Sequence, residues 1–337
     1  MERLQKDEHE YLTDEMIMLL AQNQVTTLLE FLQQDTDRLS VIMDLTLTQV
    51  LSVRDAVLKK FSAPLVTGSS LYVRNLNSKK FIKSGIASLD SATEGGLPIG
   101  YITEICGISQ SGKTQLCLQL AINYIRNNNE SVLYVDTKGD FSATLINRML
   151  LACGCSTKEV DSVLSKINVS YIRSMDDMLE LIQEMKDKEL ELCRLRLVIF
   201  DCMPYIVYLI YFGKFFPYYK LKYFTALRFL NLFVDNTKYI CKDMGASIVC
   251  VNVQTRWVEQ GANEGEGNLC DQDNTVREIR NRSLGRYWQD IPTFILLLEK
   301  EEPNYQGITK VNATLTKYSD PTSLKQFNLT ISNQGVS

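Results

Sequence analysis

An α/β fold, with a mostly parallel sheet flanked by helices and preceded by a small all-helical domain, is predicted by three observations. From residue 81 onward, short apolar runs of strand length alternate with longer amphipathic segments, as in sheets whose strands are connected by crossover helices. The stretch CGISQSGKTQL at 106 to 116 carries G-x-x-x-x-G-K-T directly after one such run and at the start of a helical one, the strand, loop and helix context that motif needs. Residues 11 to 60 contain neither proline nor glycine, and their apolar residues recur at spacings of three and four, as in Met16, Leu19, Leu20 and Val50, Val53, Val57. That spacing predicts a cluster of short helices.

Size and composition agree with two domains. A chain of 337 residues, 45% hydrophobic and 23% charged, is longer than one core usually fills. The expected division is a helical domain at 1–60, a linker or docking segment at 61–80 and the α/β core at 81–337. A formal charge of −4 means that contact with nucleic acid must come from local basic patches, not from an overall positive field. The nine cysteines form no paired C-x-x-C sets and His9 is the only histidine, which argues against a zinc site. The start, MERLQKDEHEYL, is charged and lacks the apolar centre of a signal peptide, so the cysteines are expected as reduced thiols in the cytosol or nucleus. The most apolar run, MPYIVYLIYF at 203 to 212, has about half of the roughly 20 residues a bilayer span requires, and no membrane association is expected.

Each element has its own signal. Thr13 before Asp14 and Glu15 suits a helix N-cap, and Lys59 and Lys60 suit a C-terminal turn. Pro64, Gly68, Ser69 and Ser70 interrupt the helical spacing over 61 to 73, which predicts a linker or an extended docking segment. Strands are expected at YITEIC (101–106), SVLYVD (131–136), LRLVIFD (195–201), ASIVCVN (246–252) and TFILLLE (293–299). Helices are expected over KTQLCLQLAINYIRN and MDDMLELIQEMKDKE, and the alternating ITKVNATLTKYS and KQFNLTIS predict exposed antiparallel strands near the end.

The phosphate loop gives the expected site. Gly107 and Gly112 allow backbone angles that side chains obstruct, so that N–H groups along Gly107, Ile108, Ser109, Gln110, Ser111, Gly112 and on to Gln115 can turn toward phosphate oxygens. Lys113 adds charge near the terminal phosphates and Thr114 a hydroxyl for magnesium. Asp201, ending an apolar strand, is placed to orient the magnesium shell. The expected cofactors are ATP and Mg2+.

The segment SGIASLDSATEGGLPIGYITEICGISQSGKTQLCLQLA at 84 to 121 resembles the nucleotide-binding region of the RecA/RadA recombinase family in its eukaryotic form. The helical domain, the linker, LYVDTKGDF, VIFDC and SLGRYW resemble the delta-type branch of the eukaryotic recombinase paralogues, over most of residues 11 to 300. The resemblance implies a RecA-type ATPase core in the nucleus. It also implies a subunit of a hetero-oligomer with other recombinase paralogues, assisting homologous recombination repair of double-strand breaks and stalled forks. Single-stranded or branched DNA is a further implied partner. The alternatives are an autonomous DNA-dependent ATPase that performs strand exchange and a small-molecule kinase using the same loop. Against the kinase stand the absence of an arginine-rich lid segment and the presence of the Gly95-Gly96 turn before the loop.

Two departures from the family pattern bear on activity. Active members carry an acidic residue that activates the attacking water where this chain has Lys138, and a protonated lysine cannot accept a proton. Either general-base help is lost and hydrolysis is weak, or another carboxylate such as Asp140 substitutes. Active members also place a polar Asn-Gln pair after the sensor strand, whereas here the order is Asn252-Val253-Gln254, which turns one residue to the other face of a strand.

Two loops correspond to family segments that approach DNA. In the first, 211 to 225, Lys214, Lys220 and Lys222 interleave with Phe215, Phe216, Tyr218, Tyr219 and Tyr223, suited either to stacking on single-stranded bases or to a partner interface. The second, 255 to 286, starts acidic and ends with Arg277, Arg280, Arg282 and Arg286. Those arginines fit DNA, a neighbouring subunit's nucleotide or solvent.

Overall fold

A computed structural model of the chain describes residues 4, 9–61, 66–77, 80–187, 195–212, 219–259, 277–301, 308–317 and 320–337. Two compact units are present, Met1–Ser78 and Lys79–Ser337.

The first unit holds α1 (Asp14–Gln22), α2 (Leu28–Gln33), α3 (Thr36–Met43), α4 (Leu47–Phe61) and α5 (Gly68–Asn77). The starts of α1 to α3 are fixed by side chains of the predicted kind. Thr13 accepts from the Met16 N–H, Thr27 and Glu30 form a reciprocal capping box, and Asp35 accepts from Asp37. Each cap contributes about 1 kcal/mol. Val50, Val53 and Val57 line one stripe of α4 and are fully buried with Leu20, Phe31 and Leu39. Leu19, also in the apolar repeat, is 43% exposed.

The segment expected to be extended is helical over Gly68–Asn77. The Thr67 hydroxyl accepts from the Ser70 N–H at 3.3 Å, so Gly68 and Ser69 open a first turn instead of breaking one. Residues 62–65, including Pro64, lie outside the described residues.

The second unit begins with β1 (Phe81–Ile82), α6 (Ala87–Thr93), β2 (Leu97–Pro98), β3 (Ile102–Gly107), α7 (Lys113–Asn128) and β4 (Val132–Asp136). It continues through α8 (Ala143–Ala152), α9 (Thr157–Leu164), β5 (Ile167–Tyr171), α10 (Met175–Asp187), β6 (Leu197–Asp201), α11 (Met203–Phe212) and α12 (Tyr219–Met244). It ends with β7 (Ser247–Val251), β8 (Gln254–Glu259), β9 (Arg277–Arg282), α13 (Gly285–Gln289), β10 (Phe294–Lys300), β11 (Thr309–Lys317), β12 (Asp320–Ser332) and β13 (Gly335–Val336). No described helix is long and apolar enough to cross a membrane.

Nine strands form one sheet in the order β13-β12-β11-β10-β3-β7-β6-β4-β5. The six from β10 to β5 are parallel, and β11, β12 and β13 extend the sheet in antiparallel fashion. The parallel strands are apolar at consecutive positions because both faces are covered. On β4, Val132 and Tyr134 pack with α7 to α9, whereas Leu133 and Val135 pack with α10 to α12. β5 escapes the sequence pattern because, at the sheet edge, it is buried only at Ile167 and carries polar Asn168 and Ser170. The order places β3 and β6 on either side of β7, with β4 beside β6. Their carboxyl ends therefore open together at one edge, where ligands of such sheets bind.

Candidate phosphate-binding site

The loop after β3 keeps the shape that its glycines allow. A Cβ at Gly107 would lie 2.5 Å from the Leu298 carbonyl oxygen and 2.5 Å from Ser111 Oγ. Gly112 has φ +94 and caps α7, a left-handed conformation that side chains strain. The 16-residue α7 starts at Lys113, so its free N–H groups and positive dipole end face the loop.

Lys113 is folded over that loop, with its Nζ donating to the Gly107 carbonyl at 2.9 Å and the Ile108 carbonyl at 2.6 Å. Burial holds its pKa below the ordinary lysine value. A buried ammonium satisfied by neutral carbonyls gains a stronger partner from an anionic phosphate oxygen. Ser111 is buried beside it, Thr114 and Gln115 are half-buried on the first turn of α7, and Ser109 and Gln110 are exposed at the tip.

Asp201, at the end of β6, is 1% exposed. Its Oδ2 accepts from the Thr114 hydroxyl at 2.7 Å and from the Tyr134 hydroxyl at 2.8 Å. Burial, then the nearby Asp201 charge, keeps the Tyr134 phenol far above its usual pKa, so it stays a donor. The other oxygen, Oδ1, is buried and has no hydrogen-bond partner among the described residues. The oxygen donors of Thr114 and Asp201, with one carboxylate oxygen unsatisfied, fit a hard cation such as Mg2+, which favours oxygen ligands and retains waters.

Lys138 reaches the same carboxylate from the loop after β4. Its ammonium lies 2.9 Å from Asp140 Oδ2 and 3.9 Å from Asp201 Oδ1. Partial burial opposes its charge, but the Asp140 hydrogen bond and the Asp201 charge outweigh this and raise the pKa above the ordinary value. The loop that carries it is set by Asp136, whose carboxylate accepts from the N–H groups of Lys138, Gly139 and Phe141 at 3.0, 2.8 and 2.8 Å. Asp136 is thereby committed to the turn. Asp140, the alternative base, is the partner of Lys138 and 53% exposed.

A second buried network adjoins the loop's strand. Glu104 on β3 is fully buried, accepting from Asn252 Nδ2 at 2.7 Å and from Arg282 Nη1 at 2.6 Å. Burial raises its pKa despite the opposing Arg282 charge and these hydrogen bonds. Asn252 and Gln254 do not share a strand, since β7 ends at Val251 and β8 begins at Gln254. Their separation is therefore not a face alternation.

Sequence reasoning placed Thr114, Lys113 and Asp201 together and left Tyr134 and Asp136 unmarked. Tyr134 looked like one more apolar residue of VLYVD. Its signal is that it faces α7 two residues before the strand end. The second loop is in part a ribbon, β8 paired antiparallel with β9, and Arg282 on it is held by Glu104. Arg286 is exposed, and the side chains of Arg277 and Arg280 lie outside the described residues. In the first loop, residues 213–218, with Lys214, Phe215, Phe216 and Tyr218, also lie outside them. The side chains of Tyr219, Lys220, Lys222 and Tyr223 do so as well, although their backbone belongs to α12.

Fold and loop together define an α/β protein with a phosphate loop at the carboxyl edge of its sheet. Residues 78–214, which hold that loop, Lys138 and Asp201, match the Rad51 family. The chain is 27% identical over 324 residues to the DNA repair protein RAD51 homolog 4 of Mus musculus, covering 94% of this chain and 90% of that protein. It is 25% identical to the protein of the same name from Bos taurus, over 86% of this chain and 83% of that one. It is 32% identical over 127 residues to the DNA repair and recombination protein RadA of Aeropyrum pernix, 36% of this chain and 38% of that protein.

Proposed function

We propose that this protein is an ATP-binding recombinase paralogue that assists recombinational DNA repair in the nucleus as one subunit of a hetero-oligomer, and that it hydrolyses ATP slowly. The observation that carries the reading is the set Lys113, Thr114 and Asp201 at one sheet edge, joined by the 2.7 Å bond between Thr114 and Asp201, with a lysine where a water-activating carboxylate is needed. The loop from Gly107 to Gln115 would cradle the phosphates, Lys113 would meet their charge, and Thr114 with Asp201 would hold Mg2+. That ion supplies charge neutralisation and orientation of the phosphates. Lys138 is kept protonated by Asp140 and Asp201, so it takes no proton from water. Loss of general-base help lowers rates by about 10²- to 10⁴-fold.

The repair role and the paralogue partners rest on similarity to the RAD51 homolog 4 proteins along nearly the whole chain. Phosphate release by the purified full-length chain, with and without single-stranded DNA, tests the reading together with affinity capture from cells. Slow turnover and capture of other Rad51-family chains are expected. DNA-stimulated turnover at the rate of a strand-exchange recombinase would overturn it in favour of an autonomous enzyme.

A further inference from the structure

We propose that Lys138 is a tethered counter-cation of the phosphate site, supplying beside Asp201 part of the positive charge that a divalent ion otherwise brings, so that nucleotide binding depends only weakly on magnesium. The inference rests on the ATP-site reading above and concerns the one charged side chain of that site which the reading leaves with no positive role.

The geometry is specific. Asp201 Oδ1 is buried and has no hydrogen-bond partner among the described residues, yet the Lys138 ammonium stands 3.9 Å from it. The other oxygen of the same carboxylate is bonded to Thr114 on the first turn after the phosphate loop. Lys138 and Lys113 are near enough for the charge of each to act on the other, Lys138 helping to depress the Lys113 pKa. The Asp201 carboxylate thus acts on both ammonium groups, with that of Lys138 3.9 Å away. Their mutual repulsion is relieved when a polyanion enters between them, and that relief adds to its affinity.

The position of Lys138 is built and not accidental. Asp136 spends its carboxylate on the N–H groups of Lys138, Gly139 and Phe141. Thr137 locks the same turn to β6 by donating to the Cys202 carbonyl at 2.8 Å and accepting from the Cys202 N–H at 2.9 Å. Asp140 grips the ammonium from the solvent side at 2.9 Å. A charge fixed within about 4 Å of its partner in a half-buried site is screened far less than one in water. Carried on the chain, it costs no ion capture from solution.

The experiment is a titration of the full-length chain with ATP bearing a fluorescent ribose label, in excess magnesium and in excess EDTA. Wild type is expected to lose no more than about tenfold in affinity when magnesium is removed. Lys138→Met, which keeps the length and removes the charge, should lose a further tenfold or so in EDTA and recover toward wild type in magnesium. That recovery shows that the variant is folded. Lys138→Arg, which keeps the charge, should behave as wild type in EDTA. An equal magnesium-to-EDTA ratio for wild type and Lys138→Met, or tighter EDTA binding by Lys138→Met, would overturn the inference while leaving the ATP site in place. No binding by wild type in either condition would overturn the ATP-site reading itself.

Discussion

The hydroxyl of Thr114 donates to Asp201 Oδ2 at 2.7 Å, joining the first turn after the phosphate loop to the end of a strand 87 residues away. The contact holds two candidate oxygen ligands of a hard cation side by side, and the Oδ1 of the same carboxylate is buried with no hydrogen-bond partner among the described residues. Thr114→Val keeps the shape and deletes the hydroxyl. The gain in nucleotide affinity on adding magnesium should fall by about tenfold, the worth of a bond to a charged group. Lys113→Ala, by contrast, should weaken binding by tenfold or more with or without magnesium, because it removes the ammonium proposed to meet the phosphates. Calorimetric titration distinguishes the two, and equal affinity of wild type and Lys113→Ala would sink the assignment of the loop.

Most of this site could be read in the chain because its residues sit at positions defined by local pattern. A glycine-flanked loop after an apolar strand and an aspartate closing another such strand identify Lys113, Thr114 and Asp201 without tertiary information. Contacts made across the sheet were not legible. The Tyr134 bond to Asp201 depends on β4 and β6 being neighbours, and Glu104 meets Arg282 only because β9 returns the chain to β3. The edge strand β5 was hidden because its burial is one-sided and broken by Asn168 and Ser170. The helix α5 was hidden because Gly68 and Ser69, read as breakers, stand where the Thr67 cap makes them a first turn.

Tyr134→Phe removes one of the two donors to Asp201 Oδ2 without opening a cavity. The carboxylate keeps Thr114 and the proximity of Lys138, so the loss should be that of one hydrogen bond to a charged group, about 1.5 to 3 kcal/mol. Urea unfolding should report it as a lower midpoint at unchanged slope. A midpoint equal to that of wild type would mean that the Tyr134 hydroxyl is not coupled to Asp201.

Arg282→Leu removes the cation facing Glu104, whose carboxylate is fully buried and also accepts from Asn252 Nδ2. Breaking a buried pair typically costs 3 to 5 kcal/mol, and since the Arg282 side chain is 22% exposed the smaller end, about 3, is expected. The pH dependence has a definite sign. Burial already holds the folded pKa of Glu104 above its ordinary value, and removing Arg282 raises it further. Stability tied to this carboxyl is present below its unfolded pKa and is lost as pH rises through the folded one. The variant should therefore lie closer to wild type at about pH 5 than at about pH 8. A deficit independent of pH, or one larger in acid, would refute the role of the Glu104 charge.

The last prediction concerns the helical unit. On α5, Tyr72 is 66% exposed and Val73 is 55% exposed, adjacent apolar side chains that burial against another protein would stabilise. Burying such side chains is worth about 1.5 to 3 kcal/mol each. If the chain works within a hetero-oligomer of Rad51-family proteins, Tyr72→Ala with Val73→Ala should weaken one partner by roughly tenfold to a hundredfold. Helix formation should persist, since alanine is the best helix former. Labelled-nucleotide binding should stay unchanged, because the phosphate loop belongs to the other compact unit. Capture of the double variant and wild type from the same cells, with partners quantified by mass spectrometry, checks the expectation. Equal recovery of every Rad51-family partner would show that α5 serves only to connect the two units.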